Sequence, residues 1–425
     1  MSHETAFTMD TSSIKFGPGV TREVGQDMAA LGARRVMVVT DPNLAASEPV
    51  ATVTDALRAA GIDAVVYDRV RVEPTDVSFK DAIDFATAGD FDGFVAVGGG
   101  STIDTAKVAN LFSTWPNDLL AYVNAPIGRA EPVPGPLKPL IGVPTTAGTA
   151  SEITGVAIFD FLEMHAKTGI AHRALRPVMG IVDPLNTVSM TPMQSACTGL
   201  DVLCHALESM TALPYDQRPA PESPKLRPTY QGANPISHIW ATESIKLVAE
   251  NLPVVVAEPD NIAARGKMML AAVYGGMGFG NAGVHLCHGM SYPVSGMVRD
   301  YKPAGYVSDH PIIPHGMSVA LNAPAVFRFT APANPDLHLL GAQLMGAETR
   351  GATPEDAGDI LADAIIKLMQ QVGMPNGLAA VGFTPEDIEE LVEKTLPQHR
   401  VTKLSPRPAG GADLNRMFAE SMQIW

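Results

Sequence analysis

From residue 34 to about 187, short β-branched runs alternate with stretches of helical period, and few folds accommodate that alternation. "RRVMVVTD" is followed by "ATVTDALRAAG", then by "DAVVYD", "SFKDAIDFATAG" and "DGFVAVGGG". The pattern predicts β-α-β units and a mainly parallel, Rossmann-like sheet. Two further strand-like runs, "PLIGVPTT" and "VMGIVDP", extend it. After Pro192 the chain changes to long amphipathic stretches such as "ATESIKLVAENLPVVV", "PEDAGDILADAIIKLMQQVG" and "TPEDIEELVEKTL". The reading is an α/β dinucleotide-binding domain over residues 1–187 and an all-α domain over 188–425, sizes that a chain of 425 residues accommodates.

"VAVGGGSTIDTAKVANL" runs from a strand through three glycines into a helix. Gly98, Gly99 and Gly100 let a phosphate approach the backbone, and the helix start offers unpaired N–H groups and a positive dipole end. The same residues also suit a plain tight turn. A literal G-x-G-x-x-G at "GFGNAG" has no strand before it and reads as close helix packing. Asp41 ends a strand where a carboxylate either binds the adenosine ribose, favouring NAD over NADP, or caps a helix. "PTTAGTASE" offers Thr145 and Thr146 to cofactor phosphates and ribose, or makes a turn.

In "LDVLCHALES", Asp201 and His205 stand four residues apart, on one helix face, in an otherwise apolar segment. They are either a mutually satisfied core pair or part of a metal site. "GVHLCHGMSYP" and "HPIIPHGMS" supply four more histidines, of which His288 and His315 each precede a glycine. Asp201, His205, His288 and His315 together would offer one carboxylate and three imidazoles, a set suited to Fe(II) or Zn(II) with room for a substrate oxygen.

A net charge of −15 repels nucleic acid and anionic membranes, and no apolar run approaches the roughly 20 residues that span a bilayer. The partners expected are therefore small molecules. The N-terminus has no signal-like apolar core, and the three cysteines form no C-x-x-C pair; both fit a cytoplasmic enzyme. Residues 213–237 carry six prolines together with Arg218, Lys225 and Arg227, which are either solvated charges or receptors for a substrate carboxylate.

"GGGSTIDTAK", "PTTAGTASE", "GLDVLCHALE", "HLCHGMSYP" and "PHG" occur in the order and spacing of the iron-containing, group III alcohol dehydrogenases, which the whole chain resembles. Within that family, "YDRVRVEPTD", "FGNAGVHLCHGMSYP", "RPTYQGANPIS" and "LPQHRVTKL" are similar to the hydroxyacid-oxoacid transhydrogenase branch. The resemblance implies the dehydroquinate synthase-like fold, a metal in a cleft between two domains, and dimers or larger homo-oligomers. It places the metal on Asp201, His205, His288 and His315, and NAD on Asp41, Gly98, Gly99, Gly100, Ser101, Asp104, Thr145, Thr146 and Lys167. Two features depart from the wider family: Tyr292 stands where many members have a relay histidine, and "MVRDYKPAGYVSD" lengthens the stretch between His288 and His315.

The implied reaction passes a hydride from 4-hydroxybutyrate to 2-oxoglutarate through a retained NAD, with the metal activating each oxygen and Tyr292 beside it. An ordinary NAD-dependent primary alcohol dehydrogenase would use the same site, and a lyase on the related scaffold is the reading from another reaction class.

Overall fold

The computed structural model describes residues 3–164, 166–308 and 310–425; the side chains of Met164, Ala166 and Lys225 lie outside that description, and with the last goes one of the three loop cations. The strands are β1 (Ser13–Phe16), β2 (Arg35–Val39), β3 (Asp63–Tyr67), β4 (Gly93–Gly98), β5 (Leu140–Pro144), β6 (Val156–Phe161), β7 (Ala166–Ala171) and β8 (Met179–Val182). Six of them form one parallel sheet in the order β1-β8-β5-β4-β2-β3. Helices α1 (Val24–Ala30), α2 (Glu48–Ala59), α3 (Asp76–Gly89), α4 (Gly100–Thr114) and the single turn α5 (Leu119–Tyr122) complete the unit Thr11–Met190.

Alternation along the strands explains why both faces are apolar. Val36, Val38, Val95, Val97, Ile141 and Val143 pack with Met28 and Leu57 on one side. Met37, Val39, Phe94 and Ala96 pack with Ala82, Ile103 and Ala106 on the other. A sheet covered on both faces needs hydrophobic runs without polar interruption, the pattern seen in "RVMVV" and "GFVAV". The periodicities did not single out β1, a four-residue strand at the sheet edge, or the separate antiparallel hairpin β6–β7.

The second unit comprises Met1–Asp10 and Thr191–Trp425. Its helices are α6 (Pro192–Thr211), α7 (Pro235–Ala257), α8 (Ile262–Ala282), α9 (Leu286–Gly296), α10 (His315–Ala320), α11 (Ala323–Thr330), α12 (Pro335–Leu344), α13 (Ala357–Gln371), α14 (Ile388–Thr395), α15 (His399–Thr402) and α16 (Gly411–Ser421). Thr191 caps α6 reciprocally: its hydroxyl accepts from the Gln194 N–H at 3.2 Å, and the Gln194 side chain accepts from the Thr191 N–H at 2.8 Å. From Gly199 to Thr211 every residue of α6 is buried. Hydrogen bonds and an ion pair tie the N-terminal segment to this unit, among them the Thr8 N–H to Gln231 at 2.8 Å, the Asp10 N–H to Asn281 at 2.9 Å, and Arg227 to Glu4 at 2.9 Å. Among the described residues, no helix is long and apolar enough to cross a membrane.

Candidate active site

Asp201 and His205 come from the buried helix α6, His288 from the first turn of α9, and His315 begins α10. The Asp201 Oδ1 lies 3.7 Å from His205 Nε2, 3.5 Å from His288 Nε2 and 3.8 Å from His315 Nε2. Ligand atoms about 2.1 Å from a tetrahedral metal stand about 3.4 Å apart, so these separations suit one shared ion. Asp201, His288 and His315 have ligand atoms within 4.8 Å of one another, and the His205 ring stacks on His288 with centroids 4.6 Å apart.

Two of these atoms have no other explanation. The Asp201 Oδ1 and His288 Nε2 are buried without a hydrogen-bond partner, which costs about 1–3 kcal/mol for each such group. A cation between them satisfies both. The His315 side chain is 26% exposed, which makes it the most open member of the set. Close approach of α10 depends on Gly316, because a Cβ there would stand 2.0 Å from the Cys197 carbonyl of α6. That is the physical content of the "HG" pair.

The residue-by-residue reading missed Glu208. Three residues after His205 and fully buried, it accepts the N–H groups of His285 at 3.0 Å and Cys287 at 2.7 Å, together with the His288 Nδ1 proton. Burial would raise its pKa, but His288 and His285 outweigh that and hold it near 2. An ionised Glu208 fixes His288 as the Nδ1–H tautomer and turns its Nε2 lone pair toward Asp201. The available signal was an acid on the same apolar segment as the first histidine.

The electrostatics of the cluster call for a cation. Burial opposes the charge on Asp201, yet the imidazoles of His205 and His315 pull its pKa below the ordinary range. Burial pushes His205 down to about 3 against the attraction of Asp201, leaving a neutral imidazole. Burial also disfavours protonated His288, but Glu208 and Asp201 reverse it and raise its pKa.

Tyr292 lies one helical turn after His288 on α9, is buried, and its hydroxyl accepts from Arg400 Nη2 at 2.6 Å. His285 is fully buried: its Nδ1 accepts from the Leu286 N–H at 2.8 Å and its Nε2 meets the Thr211 hydroxyl at 3.0 Å. Cys197, Cys204 and Cys287 are buried free thiols.

In the α/β unit, α4 starts at the glycine turn with Gly99 as N-cap and no side-chain cap bond, leaving its first N–H groups to other acceptors. A Cβ on Gly98 would stand 2.4 Å from Thr102 Oγ1, and one on Gly100 would stand 2.7 Å from Thr149 Oγ1. Thr145 and Thr146 follow β5, and the Ser101 hydroxyl accepts from the Glu73 N–H at 3.2 Å. Asp41 makes a turn: its carboxylate accepts from the Asn43 N–H at 2.9 Å, and burial raises its pKa. It does not cap α2, whose N-cap is Ser47. Both Asp104 oxygens are engaged, one by the Ser151 hydroxyl and the other by the Ile158 N–H at 2.9 Å. The buried Lys167 pairs with Glu73 and with Asp160, the latter at 3.2 Å. Of the loop cations, Arg227 is paired to Glu4 and Arg218 donates to the Tyr230 carbonyl.

Two family profiles match the chain: iron-containing alcohol dehydrogenase over residues 11–184, and the Fe-containing alcohol dehydrogenase family C-terminal domain over residues 229–422. The mitochondrial hydroxyacid-oxoacid transhydrogenase of Bos taurus is 56% identical over 99% of this chain and 91% of its own length. The Homo sapiens enzyme of that name is 53% identical over 99% and 90%, and the probable one of Dictyostelium discoideum 51% over 99% and 80%. Among solved structures, a 1,3-propanediol oxidoreductase superposes with a TM-score of 0.86 at 29% identity, covering 98% of this chain and 100% of its own. A sulfoacetaldehyde reductase from Bifidobacterium kashiwanohense in complex with NAD+ gives 0.80 at 26%, covering 99% of each. The relatives' names overturn the cytoplasmic expectation and point to the mitochondrion.

Proposed function

From its membership of the iron-containing alcohol dehydrogenase family, to which this chain belongs, we propose that this oxidoreductase is a hydroxyacid-oxoacid transhydrogenase. In the proposed reaction 4-hydroxybutyrate loses a hydride and a proton to become succinic semialdehyde, and 2-oxoglutarate gains both to become 2-hydroxyglutarate. The observation that carries the reading is identity of 51–56% to enzymes of that name along 99% of the chain.

The buried donors Asp201, His205 and His288, with the partly exposed His315, would suit Fe(II) or Zn(II), which would supply Lewis acidity toward an alcohol or carbonyl oxygen. Glu208 keeps the His288 proton on Nδ1 and so leaves Nε2 a donor of its lone pair. The first turn of α4 and the Gly98–Gly100 bend would receive the NAD pyrophosphate, and Asp41 the adenosine ribose. Retention of NAD between the two acids would make one enzyme molecule self-sufficient in hydride.

Exhaustively desalted enzyme given 4-hydroxybutyrate and 2-oxoglutarate without free NAD tests this, with 2-hydroxyglutarate read by mass spectrometry. Many turnovers per subunit are expected. Product only on addition of NAD, with NADH accumulating from a simple alcohol, would replace the proposal with an ordinary alcohol dehydrogenase.

A further inference from the structure

Arg400, in "LPQHRVTKL", belongs to the short helix α15. Its Nη2 donates to the Tyr292 hydroxyl at 2.6 Å, and its guanidinium lies 5.1 Å from the centroid of the Tyr230 ring. Its Nη1 is buried and has no hydrogen-bond partner. Among the described residues no carboxylate forms an ion pair with it, and its contacts are two tyrosines, Tyr292 and Tyr230. A buried guanidinium group without an anion is costly, and a protein retains one where an anion arrives.

Two chains of contact connect this cation to the candidate metal donors. Tyr292 is one turn from His288 on α9, and α15 packs beside that turn, since a Cβ on Gly289 would stand 2.8 Å from Thr402 Cγ2. On the other side the Tyr230 ring meets Phe279 edge-on at 6.4 Å, and Phe279 stacks on His205 at 3.9 Å. The three residues around the open guanidinium position come from three separate stretches of the chain, and none of the three has an acid as its partner.

We propose that Arg400 binds the distal carboxylate of both acids and thereby sets the chain length of the substrate. This rests on the transhydrogenase reading. In 4-hydroxybutyrate the carbon that loses hydride is separated from the carboxylate by the same number of carbon–carbon bonds as the ketone carbon of 2-oxoglutarate from its far carboxylate. One fixed guanidinium therefore serves donor and acceptor in turn, in a bidentate or single charge-assisted contact. Tyr292, in the position of a relay histidine, acts as a positioning residue that orients the fork.

The test is a donor half-reaction, following nicotinamide reduction by 4-hydroxybutyrate and by its neutral amide, in wild type and Arg400→Met. Metal content and melting temperature are measured alongside. The ratio of kcat/KM for the acid to that for the amide is expected to fall about 100-fold in the variant, through KM, and KM for 2-oxoglutarate to rise with it. An unchanged ratio, or equal losses with acid and amide, overturns the role of Arg400. If the variant melts early or loses metal, Arg400→Gln, which keeps a donor toward Tyr292 and removes the charge, decides: the ratio falls about 100-fold if the inference holds, and stays at the wild-type value if it is wrong. Wild-type enzyme that leaves 4-hydroxybutyrate untouched would instead remove the transhydrogenase reading itself.

Discussion

The Nδ1–H of His288 donates to Oε2 of Glu208, while the other oxygen of that carboxylate gathers N–H groups from the first turn of α9. One buried acid thus both orients a metal donor and caps the helix that carries it. Glu208→Gln keeps the shape but removes the charge, and it should weaken metal affinity about 10- to 100-fold. Chelator competition on purified enzyme measures it, and an unchanged dissociation constant would show that Glu208 serves only as a cap.

His288→Ala and His285→Ala should fail in different ways. Removing His288 takes a lone pair from the cluster, so metal and turnover go together, and the metal-free protein also melts earlier because the buried Glu208 carboxylate loses its partner. Removing His285 deletes a buried ring bonded to Thr211 and to the Leu286 N–H, which should cost about 2–3 kcal/mol of stability. Parallel metal analysis and thermal melts separate the two. Full metal and full activity in His288→Ala would exclude that residue from the site.

Asp41→Gly should shift cofactor preference toward NADP, because a carboxylate at the end of β2 repels a 2′-phosphate. The turn bond to Asn43 is lost as well, so the comparison to make is the ratio of kcat/KM for the two cofactors rather than either value. A ratio equal to wild type would leave Asp41 with the turn alone.

Glu152, the buried last residue of the "PTTAGTASE" stretch, gives a pH dependence of stability. Burial is the main cause that raises its pKa from 4.5 to about 7, with Lys107 opposing. The folded state therefore holds a proton that the unfolded chain releases near pH 4.5, so the stabilisation is complete below that pH and is lost as pH rises through about 7. Relative to Glu152→Gln, the wild-type chain should lose about 3 kcal/mol of unfolding free energy between pH 4.5 and 8. Parallel denaturant curves across that range would contradict the assignment.

The legible parts of the sequence were those where one residue type has few physical uses. Val36 to Val39 in an unbroken apolar run specify a strand covered on both faces, and Asp201 with His205 in a buried apolar helix needs partners from elsewhere. Glu208 was hidden because an acid near a histidine gives no sign of whether it meets the metal or the ring behind it. Asp104 looked like a cofactor contact because it follows the glycine turn, but its oxygens hold Ser151 and the Ile158 N–H across the loop. Arg227 and Lys167 show the same limit: their carboxylate partners, Glu4 and Glu73, are 223 and 94 residues away in the chain.

The N-terminal segment has a consequence for synthesis. Thr8 and Asp10 leave the ribosome well before their partners Gln231 and Asn281, which follow 223 and 271 residues later. The α/β unit, Thr11–Met190, is contiguous and can fold as it emerges, whereas the segment ahead of it waits for most of the chain. Trimming residues 3–10 should therefore slow the last stage of maturation of the helical unit and leave the nascent α/β unit unaffected.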